Sequence, residues 1–124
     1  MSKYYTKEDH LQAKCMQWML LAYPELAVLH SPNEGKRTVF EQRKMNFIGK
    51  KQSKGFPDIM IFNSTKDGYK GLAVELKVIY DSGAKNYPSK DQKKWIEKLN
   101  KQGYKALVVW TFEKFQEIIE ECYN

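Results

Sequence analysis

Histidine, cysteine and proline are scarce in this sequence, with two His, two Cys and four Pro among 124 residues. Each scarcity closes off a class of protein. Cys15 and Cys122 lie far apart with no C-x-x-C pairing, so neither a disulfide framework nor a paired-thiol zinc site is written into the chain. A zinc site that drew in His10 and His30 lacks the spacing such sites show. Both cysteines fall within apolar helical patterns and read as reduced core thiols. No apolar run approaches the ~20 residues that span a bilayer, and the opening MSKYYTKEDH lacks the apolar segment of a secretory signal. This points to the cytoplasm, or to the host-cell cytoplasm for a viral protein, and away from a membrane partner. Repeats, low-complexity tracts and Pro-, Gly- or Ser-rich linkers are absent too. The expectation is one domain over residues 1–124, long enough to bury a core without metal or disulfide staples.

Positive charge, by contrast, is in excess. The formal net charge is +6 and the pI is near 9.2. The excess is clustered: Lys36, Arg37, Arg43, Lys44, Lys50, Lys51 and Lys54 stand against one acid, Glu41. Lys85 to Lys105 carries seven lysines against Asp91 and Glu97, while the terminal FEKFQEIIEEC is acidic. Such clusters favour a polyanionic partner, because neutralising phosphates releases counterions. A solvated lysine-rich surface is the plain alternative. Hydrophobic residues at 42% and charged ones at 29% give the balance of a globular protein.

Leu11, Cys15, Trp18, Met19 and Ala22 recur at helical spacing. They predict a first helix that starts at Thr6, with Asp9 at the capping-box position, and stops at Pro24. A short strand is expected over Glu25 to His30 and a loop over Ser31 to Gly35. A second helix is expected over Thr38 to Ile48, with Val39, Phe40 and Phe47 inward and Gly49 ending it. Pro57 to Asn63 and Tyr69 to Ile79 read as strands joined by STKDG, a turn-forming cluster that predicts a hairpin. Ser89 opens a further helix, and Gln92 completes its S-x-x-Q capping box. Trp95, Ile96 and Leu99 form the inner face of that helix, and Gly103 supplies the stop. YKALVVW, 104–110, reads as a buried strand, and Thr111 caps a last helix that buries Phe112, Phe115, Ile118, Ile119 and Cys122. This order predicts a mixed sheet with helices covering its faces, an α/β fold.

The two hairpin strands carry three charges that a core excludes: Asp58, Glu75 and Lys77. Side chains alternate along a strand, so Glu75 and Lys77 share one face while Val74, Leu76 and Val78 take the other. A turn centred between Lys66 and Asp67 sets Asp58 opposite Glu75; one centred between Asp67 and Gly68 sets it opposite Lys77. Both registers bring all three to one face, with cross-strand neighbours about 5 Å apart. Burying such groups costs several kcal/mol each unless they are paired or bind a cation, and one lysine does not neutralise two acids. A divalent cation does, and hard oxygen ligands point to Mg²⁺ or Mn²⁺.

Asp58 after Pro57, followed by Glu75-Leu76-Lys77 on the next strand, resembles the P-D…(D/E)-x-K signature of the PD-(D/E)XK nuclease superfamily. A wider pattern is similar to the VRR-NUC branch of that superfamily: Gly55-Phe56-Pro57-Asp58, the hairpin, Gly71 to Lys77, then Gln92-Lys93-Lys94-Trp95 with Leu99, Gly103 and Ala106 to Trp110. Tyr23-Pro24-Glu25-Leu26 and His30 to Arg37 resemble that branch as well, with Glu34 where a glycine is common. The likeness covers nearly the whole chain. It implies a PD-(D/E)XK nuclease-like core and a metal-dependent endonuclease that hydrolyses DNA phosphodiester bonds.

By the same resemblance, Asp58 and Glu75, with the backbone carbonyl of Leu76, hold the Mg²⁺ or Mn²⁺, and Lys77 orients or deprotonates the attacking water. A glutamate on the first helix often completes the metal site in the superfamily, and Glu8 matches it; a first-turn acid favoured by the helix dipole is an equal reading. Gln92 matches the family's glutamine near the metal, and its capping-box position explains it equally well. Arg37, Lys50, Lys51 and Lys54 are candidate contacts to the DNA backbone. His30, Tyr80 and Tyr87 carry weaker signals, the histidine as a site neighbour or a structural hydrogen bonder, the tyrosines as base-stacking or rim residues. One catalytic cluster cuts one strand, so cutting both needs two encounters or two subunits; stand-alone nucleases that this chain resembles are often twofold dimers, and a homodimer that prefers branched or junction DNA is the expectation. Met45, Phe47 and Met60 are candidates for its surface, with core burial as the competing reading. Two other classes stay open: a non-catalytic nucleic-acid-binding module with a nuclease-like fold, and an interaction protein built around a buried ion-pair cluster.

Overall fold

A computed structural model describes residues 5–30, 43–44, 47 and 54–124. The first helix begins where the sequence places it. The Thr6 hydroxyl accepts from the Asp9 N–H at 3.1 Å and the Asp9 carboxylate accepts from the Thr6 N–H at 2.9 Å, closing the capping box on α1 (Lys7–Ala22). The strand that follows, β1 (Val28–His30), is shorter than the expected Glu25 to His30. Leu26 N–H turns back to the Tyr23 carbonyl at 3.2 Å, and Ala27 N–H goes to Asn63 Oδ1 at 2.7 Å, so three residues remain for the ladder. The helix expected over Thr38 to Ile48 lies outside the described residues apart from Arg43, Lys44 and Phe47.

β2 (Ile59–Ile61) and β3 (Leu72–Leu76) form the expected hairpin. Its loop turns at Gly68, whose φ of +94° carries no steric cost for glycine. The register joins Ile59 to Val74, Met60 to Ala73 and Ile61 to Leu72. Carried one residue further, it sets Asp58 opposite Glu75, which selects the first of the two expected registers. Both strands are shorter than the apolar runs. At one end the Asp58 carboxylate takes the Leu76 N–H at 2.7 Å. Beyond Lys77 the chain leaves the sheet for a small turn in which Ile79 bridges Lys85 and Trp110 Nε1–H donates to the Asn86 carbonyl at 2.7 Å.

Ser89 and Gln92 close a second capping box on α2 (Lys90–Lys101), which crosses to β4 (Lys105–Val109), parallel to β3. Thr111 then caps α3 (Phe112–Tyr123). The sheet order is β1-β2-β3-β4, mixed as the sequence predicts. Alternation along the strands separates two cores. Ile59, Ile61, Leu72, Val74 and Leu76 face α1 and α3, packing on Met19, Phe115 and Ile119 with both free cysteines, Cys15 and Cys122. Met60, Ala73 and Ala106 face α2, with Leu99, Phe56, Trp95 and Ile96. Each fully buried aliphatic or aromatic side chain contributes about 1.5–3 kcal/mol, so the first core alone outweighs the cost of burying charge at the end of β3. Met60 is 4% exposed within the second core, so it cannot supply a dimer surface; Phe47 is exposed.

Candidate active site

Three chain ends converge beside Glu75. The first turn of α1 brings Glu8, the first turn of α2 brings Gln92, and the C-terminal end of β3 brings Glu75, Leu76 and then Lys77. With Asp58 they line a cavity of about 60 Å³, room for a small cation and a water or two. Gln12 lines it as well, and sequence reasoning did not single it out. Its signal was available: it follows Glu8 by one i,i+4 step and so shares that face of α1.

Backbone contacts fix these groups before any ligand arrives. Lys77 N–H donates to the Val109 carbonyl at 2.9 Å, which holds the residue against β4 after the strand has ended. Its ammonium lies 3.6 Å from Glu8 Oε1 and 3.9 Å from Glu75 Oε2. Gln92 serves both of its expected roles with one amide. The carbonyl oxygen accepts from the Ser89 N–H at 2.7 Å to cap α2, and Nε2–H donates to Glu75 Oε2 at 3.1 Å. The loop that delivers Asp58 is tied to the same helix turn at Gly55. Its φ is +89°, and a Cβ there would stand 2.7 Å from the Asp91 carbonyl carbon and 2.8 Å from Gln92 N.

Among the described residues the charges do not balance. Three carboxylates, Glu8, Asp58 and Glu75, share the single ammonium of Lys77. Burial pushes Glu75 up to about 9, reinforced by the charge of Asp58 and only partly opposed by Lys77. Burial also raises Asp58, against the lowering effect of the Leu76 N–H, and raises Glu8, against Lys77. Glu75 Oε1 is buried with no donor beside it while both carboxyls are ionised, a state that costs about 1–3 kcal/mol, and a proton shared with Asp58 supplies the missing hydrogen bond. A proton or a cation relieves this arrangement, and hard carboxylate oxygens fit a small divalent ion. Among the described residues no group of three His, Cys, Asp or Glu side chains is placed to hold a metal ion, so side-chain ligands would number fewer than three without movement.

Among the described residues the other sequence candidates do not line the cavity. Lys54 is described, 4.0 Å from Asp91 at the edge of α2, whereas Arg37, Lys50 and Lys51 fall outside the described residues. His30 is exposed at the end of β1. Tyr80 and Tyr87 are exposed on the turn after β3, and Tyr87 stacks edge-on against Trp110 with ring centroids 5.9 Å apart.

A mixed sheet between helices, with paired acids and a lysine at the end of its hairpin, defines an α/β domain of the nuclease type. Residues 2–111 match the VRR-NUC domain model, and the chain belongs to the VRR-NUC family. It is 27% identical to a solved structure described as a VRR_NUC domain protein, with a TM-score of 0.73 over 96% of this chain and 89% of that one. No curated protein matches it.

Proposed function

We propose that residues 1–124 form one endonuclease domain that hydrolyses DNA phosphodiester bonds with Mg²⁺ or Mn²⁺. Glu75 carries the reading: its side chain is 3% exposed, one oxygen has no partner, and a second acid, Asp58, lies against it. Asp58, Glu75 and the Leu76 carbonyl would hold the ion, with Glu8 as a further ligand. When bound, a divalent ion lowers the pKa of coordinated water and offsets charge on the scissile phosphate. Lys77, steadied by Glu8 and Glu75, orients or deprotonates the attacking water and counters the charge that develops on phosphorus-bound oxygen. Gln92 holds Glu75 in place through its amide. Arg37, Lys50, Lys51 and Lys54 grip the DNA backbone by charge.

The described residues of each chain offer one such cluster, so two chains about a twofold axis suit a branched or junction DNA whose scissile bonds are related the same way. The test is a panel of linear, nicked, flapped and four-way DNA incubated with Mg²⁺, with Mn²⁺ and with EDTA, alongside light scattering of the protein. Metal-dependent cutting is expected, strongest on branched DNA, from a dimer. DNA binding with no cutting in either metal would leave the non-catalytic binding module. A monomer that cuts linear and four-way DNA equally would remove the dimer and the junction preference.

A further inference from the structure

Outside the site, α2 carries a feature that the proposed chemistry does not use. Lys94, Lys98 and Lys101 follow one another at i, i+4 and i+7, a single stripe along the helix. With Lys54 and Trp95 they line a cleft of about 410 Å³, within the range of pockets that enclose a small organic ligand. Asp91 and Glu97 line it too, leaving the cleft two positive charges in excess. Their ion pairs, Lys54 to Asp91 at 4.0 Å and Lys101 to Glu97 at 3.3 Å, are exposed. Such pairs contribute little and exchange readily for phosphate.

Trp95 gives the cleft its second property. Its ring meets Phe56 edge-on with centroids 5.0 Å apart, which fixes it in the wall, and the Lys98 ammonium lies over the ring face, 5.0 Å from the centroid, on a flexible side chain that a stacking base would displace. An indole beside flexible ammonium groups suits a base with its phosphates, and an aromatic face stacks only on a base that is not held in a duplex. The cleft adjoins the catalytic cavity through consecutive residues, since Asp91 lines one and Gln92 the other. From Gln92 the helix rises about 13 Å to Lys101.

We propose that the α2 cleft is a single-strand track, binding an unpaired stretch of the substrate next to the scissile bond, with a base on Trp95 and phosphates on Lys94, Lys98 and Lys101. This rests on the nuclease reading of the neighbouring cavity, and it is tested by binding alone. The variant is Lys94→Ala/Lys98→Ala/Lys101→Ala. A matched control is Lys14→Ala/Lys66→Ala/Lys114→Ala, which removes the same charge beside α1 and α3. Affinity for fluorescein-labelled dT12 and for a 12-base-pair duplex is measured by anisotropy in Ca²⁺ across a salt series, with circular dichroism confirming the fold of each protein.

Loss of three contacts to a single strand lowers the log–log salt slope by about 2, or about 100-fold in affinity at 0.1 M salt referred to 1 M. That loss is expected for dT12 in the α2 variant, with a much smaller change in the control and on the duplex. An unchanged slope in the α2 variant, an equal loss in the control, an equal loss on the duplex, or no dT12 binding by the wild type would each overturn the track. Absence of metal-dependent cleavage by a wild type that shows the expected dT12 behaviour would instead sink the nuclease reading and leave the track standing.

Discussion

Glu75→Gln isolates the charge imbalance at the heart of the site. The amide keeps the shape and can still accept from Gln92 Nε2–H, but it has no proton to lose. In the unfolded chain Glu75 titrates near 4.5, whereas in the fold burial and Asp58 push it up to about 9. Between those values the folded protein holds a proton that the unfolded chain has released. The contribution to metal-free stability is therefore full below about pH 4.5 and is lost as pH rises toward 9, with a slope of at most about 1.4 kcal/mol per pH unit. From pH 6 to pH 8 the wild type should lose up to about 3 kcal/mol that Glu75→Gln does not. Urea denaturation in EDTA, followed by tryptophan fluorescence, measures the difference between the two proteins. Adding Mn²⁺ should remove much of the wild-type slope, because the ion replaces the proton, and metal affinity should rise up to about tenfold per pH unit in the same window. Parallel pH dependence in wild type and Glu75→Gln would refute the reasoning, since Glu75 would then be ionised in the fold without help.

Lys77→Ala should abolish cleavage while retaining most Mn²⁺ affinity, and Asp58→Ala should weaken both; equal loss of Mn²⁺ binding in calorimetric titrations would refute the division of roles. Gly55→Ala should destabilise the protein by more than about 1 kcal/mol in a urea melt, because it combines a positive φ with a clash against α2. Gly83→Ala, at φ +89° with nothing near its Cβ, supplies the strain without the clash, so equal melts and equal kcat for the two variants would show that the Gly55 contact does not matter. Ser89→Ala should lower stability by about 1 kcal/mol and also reduce kcat, since the cap and the Glu75 support meet in Gln92; unchanged kcat would separate the two functions.

Much of this arrangement was legible from spacing. Period-two alternation put Glu75 and Lys77 on one face, hairpin counting brought Asp58 to them, and two capping boxes fixed the starts of α1 and α2. Hidden from the sequence were contacts made by atoms that spacing does not locate. The Asp58 carboxylate reaches a backbone N–H on the partner strand, and Asn63 Oδ1 takes the Ala27 N–H and shortens β1. Gln92 presented two explanations that looked exclusive. A side-chain amide has a donor end and an acceptor end, and packing uses both. Met60 was ambiguous for the opposite reason, since a methionine in a short strand reads alike for core and surface until a covering helix is placed.

The double use of Gln92 ties the chemistry to the least secure part of a helix. Terminal turns open by fraying at far lower free energy than a core strand, well short of global unfolding. Whenever the first turn of α2 lifts, Glu75 loses its Nε2–H partner and the Ser89 cap dissolves in the same event. Competence to react is thus a property of a small opening equilibrium at one helix end. On warming, the site should fall silent while the sheet and both of its packed faces are still intact.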